Sequence, residues 1–289
     1  MVCRTLFALF AALAALLPLG QEVGAAEQSI RLYVIDGGVL ESDPGRYRLK
    51  PDEVSASQLS IASFLIVHPQ GTLMWDTGAI ADDTWTPGNQ AVARHLVLSN
   101  SADRYVSVRR STTAQLSEIG YKPADVTYLA LSHYHWDHVA NANAFAKSTW
   151  LVRKAERDAM FPQPALEPPQ PSNFAALRNA KTMLITTDDY DVFGDGTVVI
   201  KASLGHTPGH NVLYVKLANT GGVVLGGDLY HYPEERTLNR LPIADFDQAQ
   251  TGRSREALEA FLKQTDSQLW IQHDLLAHQK LKKAPLFYD

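Results

Sequence analysis

The sequence predicts an α/β protein built as a single-domain layered sandwich, with sheets inside and helices outside. Short β-branched and apolar runs alternate with helix-like segments in both halves of the chain. Several of these runs end at a histidine or an aspartate followed by a loop, which is typical of a sheet edge that holds a polar site. Hydrophobic residues make up 45% of the 289 residues, an ordinary value for a globular chain with a buried core.

The first residues have the pattern of a secretory signal peptide. Arg4 supplies a positive charge, Thr5–Leu19 form an apolar run, and small residues follow at 23–26. The run is shorter than the roughly 20 residues that span a bilayer as a helix, which favours cleavage over the alternative, an uncleaved anchor. We therefore expect a signal peptide over 1–26, a mature domain over 27–289, and a periplasmic or secreted location without stable membrane insertion.

Composition excludes several classes of function. The only cysteine, Cys3, lies within the predicted signal peptide, so the mature chain has neither a disulfide nor a thiolate metal site. The net charge of −5 contains no long block of one sign. We expect a small molecule as the partner and no nucleic acid.

The elements follow from local patterns in chain order. Strands are predicted at Ile30–Ile35, Ile61–Val67, Thr72–Trp75, Val126–Leu131, Trp150–Val152, Val198–Ala202, Val212–Leu217, Val223–Leu225 and Leu269–Gln272. A long irregular loop is predicted over 77–110, and a short helix ends near Gly120. Further helices are expected at Lys154–Phe161 and around Ala257–Leu262, whereas five prolines exclude a helix or central strand over 162–171.

One short segment, Ser132–His138, is rich in side chains that bind metals. His133 and His135 project to the same side if the segment leaves a strand, because side chains alternate there. Asp137 and His138 follow one step further round the turn. Imidazole and carboxylate without thiolate suit zinc or a similar divalent ion.

The H-x-H-x-D-H arrangement of this segment resembles the signature of the metallo-β-lactamase superfamily. Further motifs in the family's order extend the resemblance over nearly the whole mature chain: Trp75-Asp76-Thr77-Gly78, Gly205-His206-Thr207-Pro208-Gly209-His210, Gly226-Gly227-Asp228 and Gln272-His273-Asp274. The resemblance implies a four-layer αββα sandwich and a metal-dependent hydrolase domain over 27–289.

The resemblance also implies two zinc ions, or other divalent metal ions, held by seven residues. These are His133, His135 and His206 for the first ion, Asp137, His138 and His273 for the second, and Asp228 as the bridge between them. His210 is the alternative to His206, although His206 stands 22 residues before Asp228, a spacing similar to that of lactonases. His278 is the alternative to His273. Asp76 is expected to hydrogen-bond loops behind the site, and Tyr134 and Trp136 to pack.

Metal-assisted hydrolysis is the reaction that this site implies, because two ions can share a hydroxide of lowered pKa that attacks a carbonyl. The branch that the chain most resembles is the N-acyl-homoserine lactone lactonases, and Asp137 and His231 are the candidate catalytic residues. The alternatives are a β-lactam or organophosphate hydrolase on the same site, or a metal-binding protein without catalysis.

His231 is a departure from the lactonase pattern, which places a tyrosine three residues after the bridging aspartate. Either Tyr230 or Tyr232 has shifted register, or His231 polarises the substrate carbonyl, or His231 is a surface residue. An acyl-chain pocket is expected in the loop 79–110, from Trp85, Val92, Leu96 and Val97.

Overall fold

The computed structural model describes residue 1 and residues 29–84, 92–97, 103–163 and 172–289, with only the backbone for 92–97. The predicted signal peptide, the proline-rich segment over 164–171 and the acyl-pocket side chains predicted in the loop 79–110 lie outside the described residues. No helix within the described ranges is both long and apolar enough to cross a membrane.

The first sheet has eight strands: β1 (Arg31–Glu41), β2 (Gln58–His68), β3 (Gly71–Trp75), β4 (Val92–Val97), β5 (Asp103–Val108), β6 (Tyr128–Ala130), β7 (Thr149–Arg153) and β8 (Thr182–Ile185). Their order in space is β4-β5-β1-β2-β3-β6-β7-β8. The strands from β4 to β3 pair antiparallel, whereas β3, β6, β7 and β8 run parallel. β2 is apolar and buried along almost its whole length, as a central strand covered on both faces should be.

The second sheet has five strands: β9 (Asp189–Asp191), β10 (Val198–Ala202), β11 (Asn211–Leu217), β12 (Gly221–Leu225) and β13 (Gln268–Trp270). Their order is β13-β12-β11-β10-β9, with only the β12–β13 pair parallel. The helices are α1 (Thr112–Glu118), α2 (Trp136–Val139), α3 (Lys154–Met160), α4 (Pro233–Thr237), α5 (Gln248–Thr265) and α6 (Leu275–Lys280).

Three apolar layers define the architecture. The core between the sheets is formed by inward residues of both, such as Val34 and Leu213. On the outer face of the first sheet, Leu116 of α1 and Met160 of α3 join strand residues, and on the outer face of the second sheet α5 contributes Leu258. The chain is therefore layered helix, sheet, sheet, helix, which confirms the predicted αββα sandwich.

The prediction of one irregular loop over 77–110 was wrong, because β4 and β5 form a hairpin there that extends the first sheet. β5 alternates exposed residues with buried Val106 and Val108, a period of two that its polar composition obscures. The last strand ends at Trp270 rather than Gln272, since 271–274 turn away from β12. β8 and β9 were not predicted, because they have only four and three residues and β9 carries two aspartates.

Candidate metal centre

The predicted ligands lie in the segments that follow four strands, where the edges of the two sheets meet. His133 and Asp137 follow β6, and His206 follows β10. Asp228 and His273 come directly after the parallel neighbours β12 and β13, so that their side chains reach the same edge. Sheet topology thus brings together residues that are far apart in sequence.

The first group consists of His133, His135, His206 and Asp228, whose ligand atoms lie within 4.8 Å of one another. The Nε2 atoms of His133 and His206 lie 3.4 and 3.3 Å from Oδ2 of Asp228. Nε2 of His206 is 3.0 Å from Nδ1 of His135. The spacing of these atoms suits a single cation at their centre.

The second group consists of Asp137, His138 and His273. Oδ1 of Asp228 lies 3.0 Å from Nε2 of His138 and 2.9 Å from Nε2 of His273. Oδ2 of Asp137 is 3.9 and 3.7 Å from the same two nitrogens. One carboxylate oxygen of Asp228 therefore faces each group, as expected for a bridging residue.

The other ring nitrogens of these histidines are held by partners that fix each ring. Nδ1 of His138 lies 2.9 Å from Oδ2 of Asp76, and Nδ1 of His273 lies 2.7 Å from the carbonyl oxygen of Ser60. Nδ1 of His206 lies 2.8 Å from Asp245. Such contacts direct Nε2 toward the centre, and they are typical of histidines that bind metals.

The chemistry of the donor set fits divalent cations. Nε2 of His133, Nε2 of His138 and Oδ1 of Asp228 are buried and make no hydrogen bond with the described residues, an arrangement that is costly unless a cation satisfies it. Burial lowers the pKa of His133 and His135 well below the ordinary value, whereas nearby carboxylates outweigh burial and raise the pKa of His138 and His206. Burial raises the pKa of Asp228, but the surrounding imidazoles outweigh it and hold that pKa well below its ordinary value. Neutral imidazole and ionised carboxylate are the forms that bind metal.

The two histidines considered as alternative ligands point elsewhere. Nδ1 of His210 donates to the carbonyl of Ser203 at 2.9 Å, and its Nε2 accepts from the backbone N–H of Asp228 at 3.0 Å. Burial lowers the pKa of His210 to about 3, so the ring is neutral. His278 faces Asp36 at 3.3 Å instead of the centre. A residue larger than glycine does not fit at Gly227, next to Asp228, because its Cβ would lie 2.7 Å from Nε2 of His210.

His231 is buried in the site, so the surface alternative is wrong. Its side chain is 5% exposed, and Nε2 lies 3.1 Å from Oδ2 of Asp228. Nδ1 lies 3.3 Å from Glu235, and the ring packs on Tyr47 with centroids 4.3 Å apart. Burial lowers the pKa of His231, but Tyr47, Asp228 and Glu235 outweigh it and hold that pKa well above its ordinary value.

Neither neighbouring tyrosine takes the place of His231. The hydroxyl of Tyr230 donates to Glu259 on α5 at 3.2 Å, and Tyr232 packs against Tyr47 in a separate apolar cluster. A shift in register is therefore not what the structure shows. His231 itself lines the cleft above the two groups, a space of about 310 Å³ that Tyr47 and Trp136 also line.

Two supporting carboxylates were missed by sequence reasoning. Glu156 of α3 accepts hydrogen bonds from the backbone N–H of Tyr134, the hydroxyl of Thr207 and the N–H of Gly209, all at 2.8 Å. Burial raises the pKa of Glu156 to about 7. Asp245, in the loop before α5, lies 2.8 Å from Nδ1 of His206. Neither stands in a motif, so only the folded chain reveals them.

Comparisons with known proteins agree with this geometry. Residues 57–270 match the model of the metallo-beta-lactamase superfamily. The chain is 28% identical over 275 residues to an N-acyl homoserine lactonase AttM of Azorhizobium caulinodans, covering 90% of this chain and 99% of that protein. It is 25% identical to N-acyl homoserine lactonase AiiA of Bacillus thuringiensis subsp. kurstaki, covering 88% and 97%. A crystal structure of a B. thuringiensis AiiA variant with N-decanoyl-L-homoserine bound at the active site superposes with a TM-score of 0.74 at 22% identity, covering 90% and 99%.

Proposed function

Because the chain belongs to the metallo-beta-lactamase superfamily, we propose that it is a dinuclear-metal hydrolase that opens the lactone ring of N-acyl homoserine lactones. The observation that carries the proposal is Asp228, whose two carboxylate oxygens face two separate groups of ligands. The relatives named N-acyl homoserine lactonase, aligned over nearly their whole length, support this class of substrate. The activity would remove a quorum-sensing signal.

The metals are proposed to be two zinc ions. His133, His135 and His206 would hold one, Asp137, His138 and His273 the other, and Asp228 both. Seven ligands are too many for one tetrahedral ion, and a set of imidazole and carboxylate suits zinc. Divalent ions bound there supply Lewis acidity toward the lactone carbonyl and toward water.

The residues of this chain then position the substrate and handle the protons. Nδ1 of His231 faces Glu235, and the ring lines the cleft, so Nε2, which lies 3.1 Å from Oδ2 of Asp228, would be the atom that donates to the lactone carbonyl when Asp228 holds the metals. Asp137, whose side chain is 9% exposed, lines the same cleft and would accept a proton from an attacking water. Tyr47 and Trp136 line the cleft with aromatic rings that exclude water from part of it.

A screen of three substrate classes tests the function. The zinc-loaded protein is assayed with N-hexanoyl-homoserine lactone, a chromogenic β-lactam and a phosphotriester, beside Asp228→Ala as control. We expect the lactone to have the highest kcat/KM, and chelation or Asp228→Ala to abolish its turnover. A higher kcat/KM for the β-lactam or the phosphotriester would identify the alternative hydrolase, and no turnover of any of the three would favour a metal-binding role.

Export is the remaining part of the proposal. The apolar run Thr5–Leu19 and the small residues after it support cleavage of residues 1–26. Expression of the full chain in a bacterium with a Sec pathway should give a periplasmic or secreted product that begins at Ala26 or Glu27. A product that keeps Met1 by N-terminal sequencing would contradict this.

A further inference from the structure

Two arginines line the cleft above the candidate metal centre. Arg46 lies in the short turn Pro44–Tyr47, and Arg104 lies on β5. Both share the cleft with Asp137 and His231. Arg46 is exposed and Arg104 is half-buried, so both are more exposed to solvent than the buried metal ligands are.

Neither guanidinium is paired with a carboxylate within the part of the chain that the structure describes. Among the described residues, Arg104 donates only to the backbone carbonyl of Asp103, at 2.7 Å, and the side chain of Arg46 has no partner. Other arginines are paired, as with Arg110 and Glu118 at 2.6 Å or Arg255 and Glu235 at 2.8 Å. The cleft therefore holds two cations free to bind a ligand.

The electrostatics of the entrance favour an anion. Burial and then the charge of Arg46 lower the pKa of Arg104, which shows that the two like charges act on each other. Tyr47, Asp137 and Asp103 raise that pKa in turn, and Asp137 is engaged in the second ligand group. An anion at the entrance would relieve the repulsion between the two arginines, and guanidinium groups bind carboxylates with paired hydrogen bonds.

We propose that Arg46 and Arg104 bind a carboxylate at the far end of the substrate's acyl chain, so that the preferred lactones carry an anionic acyl group. The inference rests on the proposed function and narrows its substrate class. Leu40, Leu59, Pro242 and Ala244 line the same cleft and suit the methylene groups that would join the ring to the carboxylate.

The test compares two lactones of equal chain length, N-hexanoyl-homoserine lactone and N-(5-carboxypentanoyl)-homoserine lactone. The wild-type zinc enzyme should have a kcat/KM for the carboxylated lactone about fivefold or more above that for the neutral one, with the preference falling as salt is added. Arg46→Gln and Arg104→Gln should each remove most of the preference while changing neutral-lactone turnover little.

Arg109→Gln is the matched control. Arg109 comes directly after β5, the strand that carries Arg104, but it lines a different groove. It should keep the full preference. Equal kcat/KM of the wild type for the two lactones, or equal losses for both substrates in Arg104→Gln, would overturn the proposal.

A second readout does not depend on turnover. Calorimetry measures binding of the two ring-opened products, which share the carboxylate released from the ring and differ only at the acyl end. Tighter binding of the dicarboxylate by wild type than by Arg104→Gln supports the arginine site even if neither lactone is hydrolysed, a result that would contradict the proposed function alone. Equal affinities of the two products for wild type would overturn the arginine site whatever the turnover.

Discussion

At the scale of single residues, the site depends on histidines whose two ring nitrogens have different partners. In His206 and His273 one nitrogen is held by Asp245 or by a backbone carbonyl, and the other faces Asp228. In His210 both nitrogens are used within the protein. The difference between a ligand and a supporting residue is therefore visible in the hydrogen bonds.

This difference predicts unequal effects at His206 and His210. His206→Ala should lower the bound metal from two ions per chain to about one, because it removes a ligand. His210→Ala should keep both ions, yet cost about 1–3 kcal/mol of unfolding free energy, since the buried N–H of Asp228 loses its acceptor. Elemental analysis and urea denaturation measure the two effects. Loss of metal in His210→Ala but not in His206→Ala would reverse the ligand assignment.

At His231 the prediction concerns hydrogen bonding to the substrate. His231→Phe should lower lactone turnover about tenfold or more without loss of metal, because it removes a donor from the cleft. His231→Tyr should retain more activity, since its hydroxyl can donate at the same site. Steady-state kinetics with parallel metal analysis decide the matter. Equal activity of the wild type and both variants would leave His231 without a role in turnover.

Sequence reasoning was effective at this scale. The resemblance of the motifs to those of the metallo-β-lactamase superfamily implied all seven residues that the fold brings together. It left His231 open, because burial depends on Tyr47 and Glu235, which no local pattern connects to it. It missed Glu156 for the same reason.

At the scale of elements, α5 anchors the segment that carries His231. Arg255 of α5 forms a buried ion pair with Glu235 and donates to the carbonyls of Leu229 and Arg240. Glu235 in turn accepts from the backbone N–H groups of His231 and Tyr232, at 2.6 and 3.0 Å. The helix predicted from its apolar spacing thus supports the site as well as the core.

Arg255 and Arg236 each form an ion pair with a glutamate, the first buried and the second exposed, so their alanine variants can be compared. Arg255→Ala should cost about 3–5 kcal/mol of unfolding free energy, because it removes the guanidinium paired with the buried carboxylate of Glu235. Arg236→Ala, which breaks the exposed pair with Glu259, should cost less than about 1 kcal/mol. Urea denaturation measures both. Similar costs for the two variants would show that α5 does not anchor the segment through this ion pair.

The elements that sequence reasoning found are those with strong local patterns. β2, β3, β10, β11 and β12 are apolar, and each was predicted within a few residues. Only the apolar part of α5 around Ala257–Leu262 was predicted, because its first turns are polar. β5 and β9 are short strands that carry charged residues, and they form by pairing, β5 with β1 and β4 and β9 with β10. Such tertiary pairing has no signal within a short window.

At the scale of the whole molecule, the site lies where the two sheets meet, and Glu156 holds the loops from each sheet together. It accepts from Tyr134, in the loop after β6, and from Thr207 and Gly209, in the loop after β10. Burial raises the pKa of Glu156, so the contact that Glu156 makes between the two loops depends on pH.

The pKa of Glu156, raised to about 7 from 4.5, gives the direction of that sensitivity. The folded state keeps its proton at pH values where the unfolded chain has lost it, so this residue's contribution to stability falls as pH rises from 4.5 through 7. The full difference is about 3 kcal/mol. The unfolding free energy of Glu156→Gln relative to wild type should therefore rise between pH 5 and pH 8.

Urea denaturation of the zinc-loaded proteins at several pH values measures this difference. Glu118→Gln, whose carboxylate is exposed and paired with Arg110, is the control and should show no such trend. A difference between Glu156→Gln and wild type that stays constant with pH would show that Glu156 does not titrate in this range.

The cleft also contains an intrinsic optical reporter. The indole of Trp136 lies between His135 and Asp137 in sequence and is half-buried beside the ligands, whereas Trp75 and Trp150 are fully buried in the cores. Indole emission responds to a nearby charge and to the removal of water. Zinc or a ring-opened product should therefore change the fluorescence of the unlabelled protein, and Trp136→Phe would isolate that signal. Affinities for metals and products can then be measured by fluorescence titration, at protein concentrations far below those that calorimetry needs.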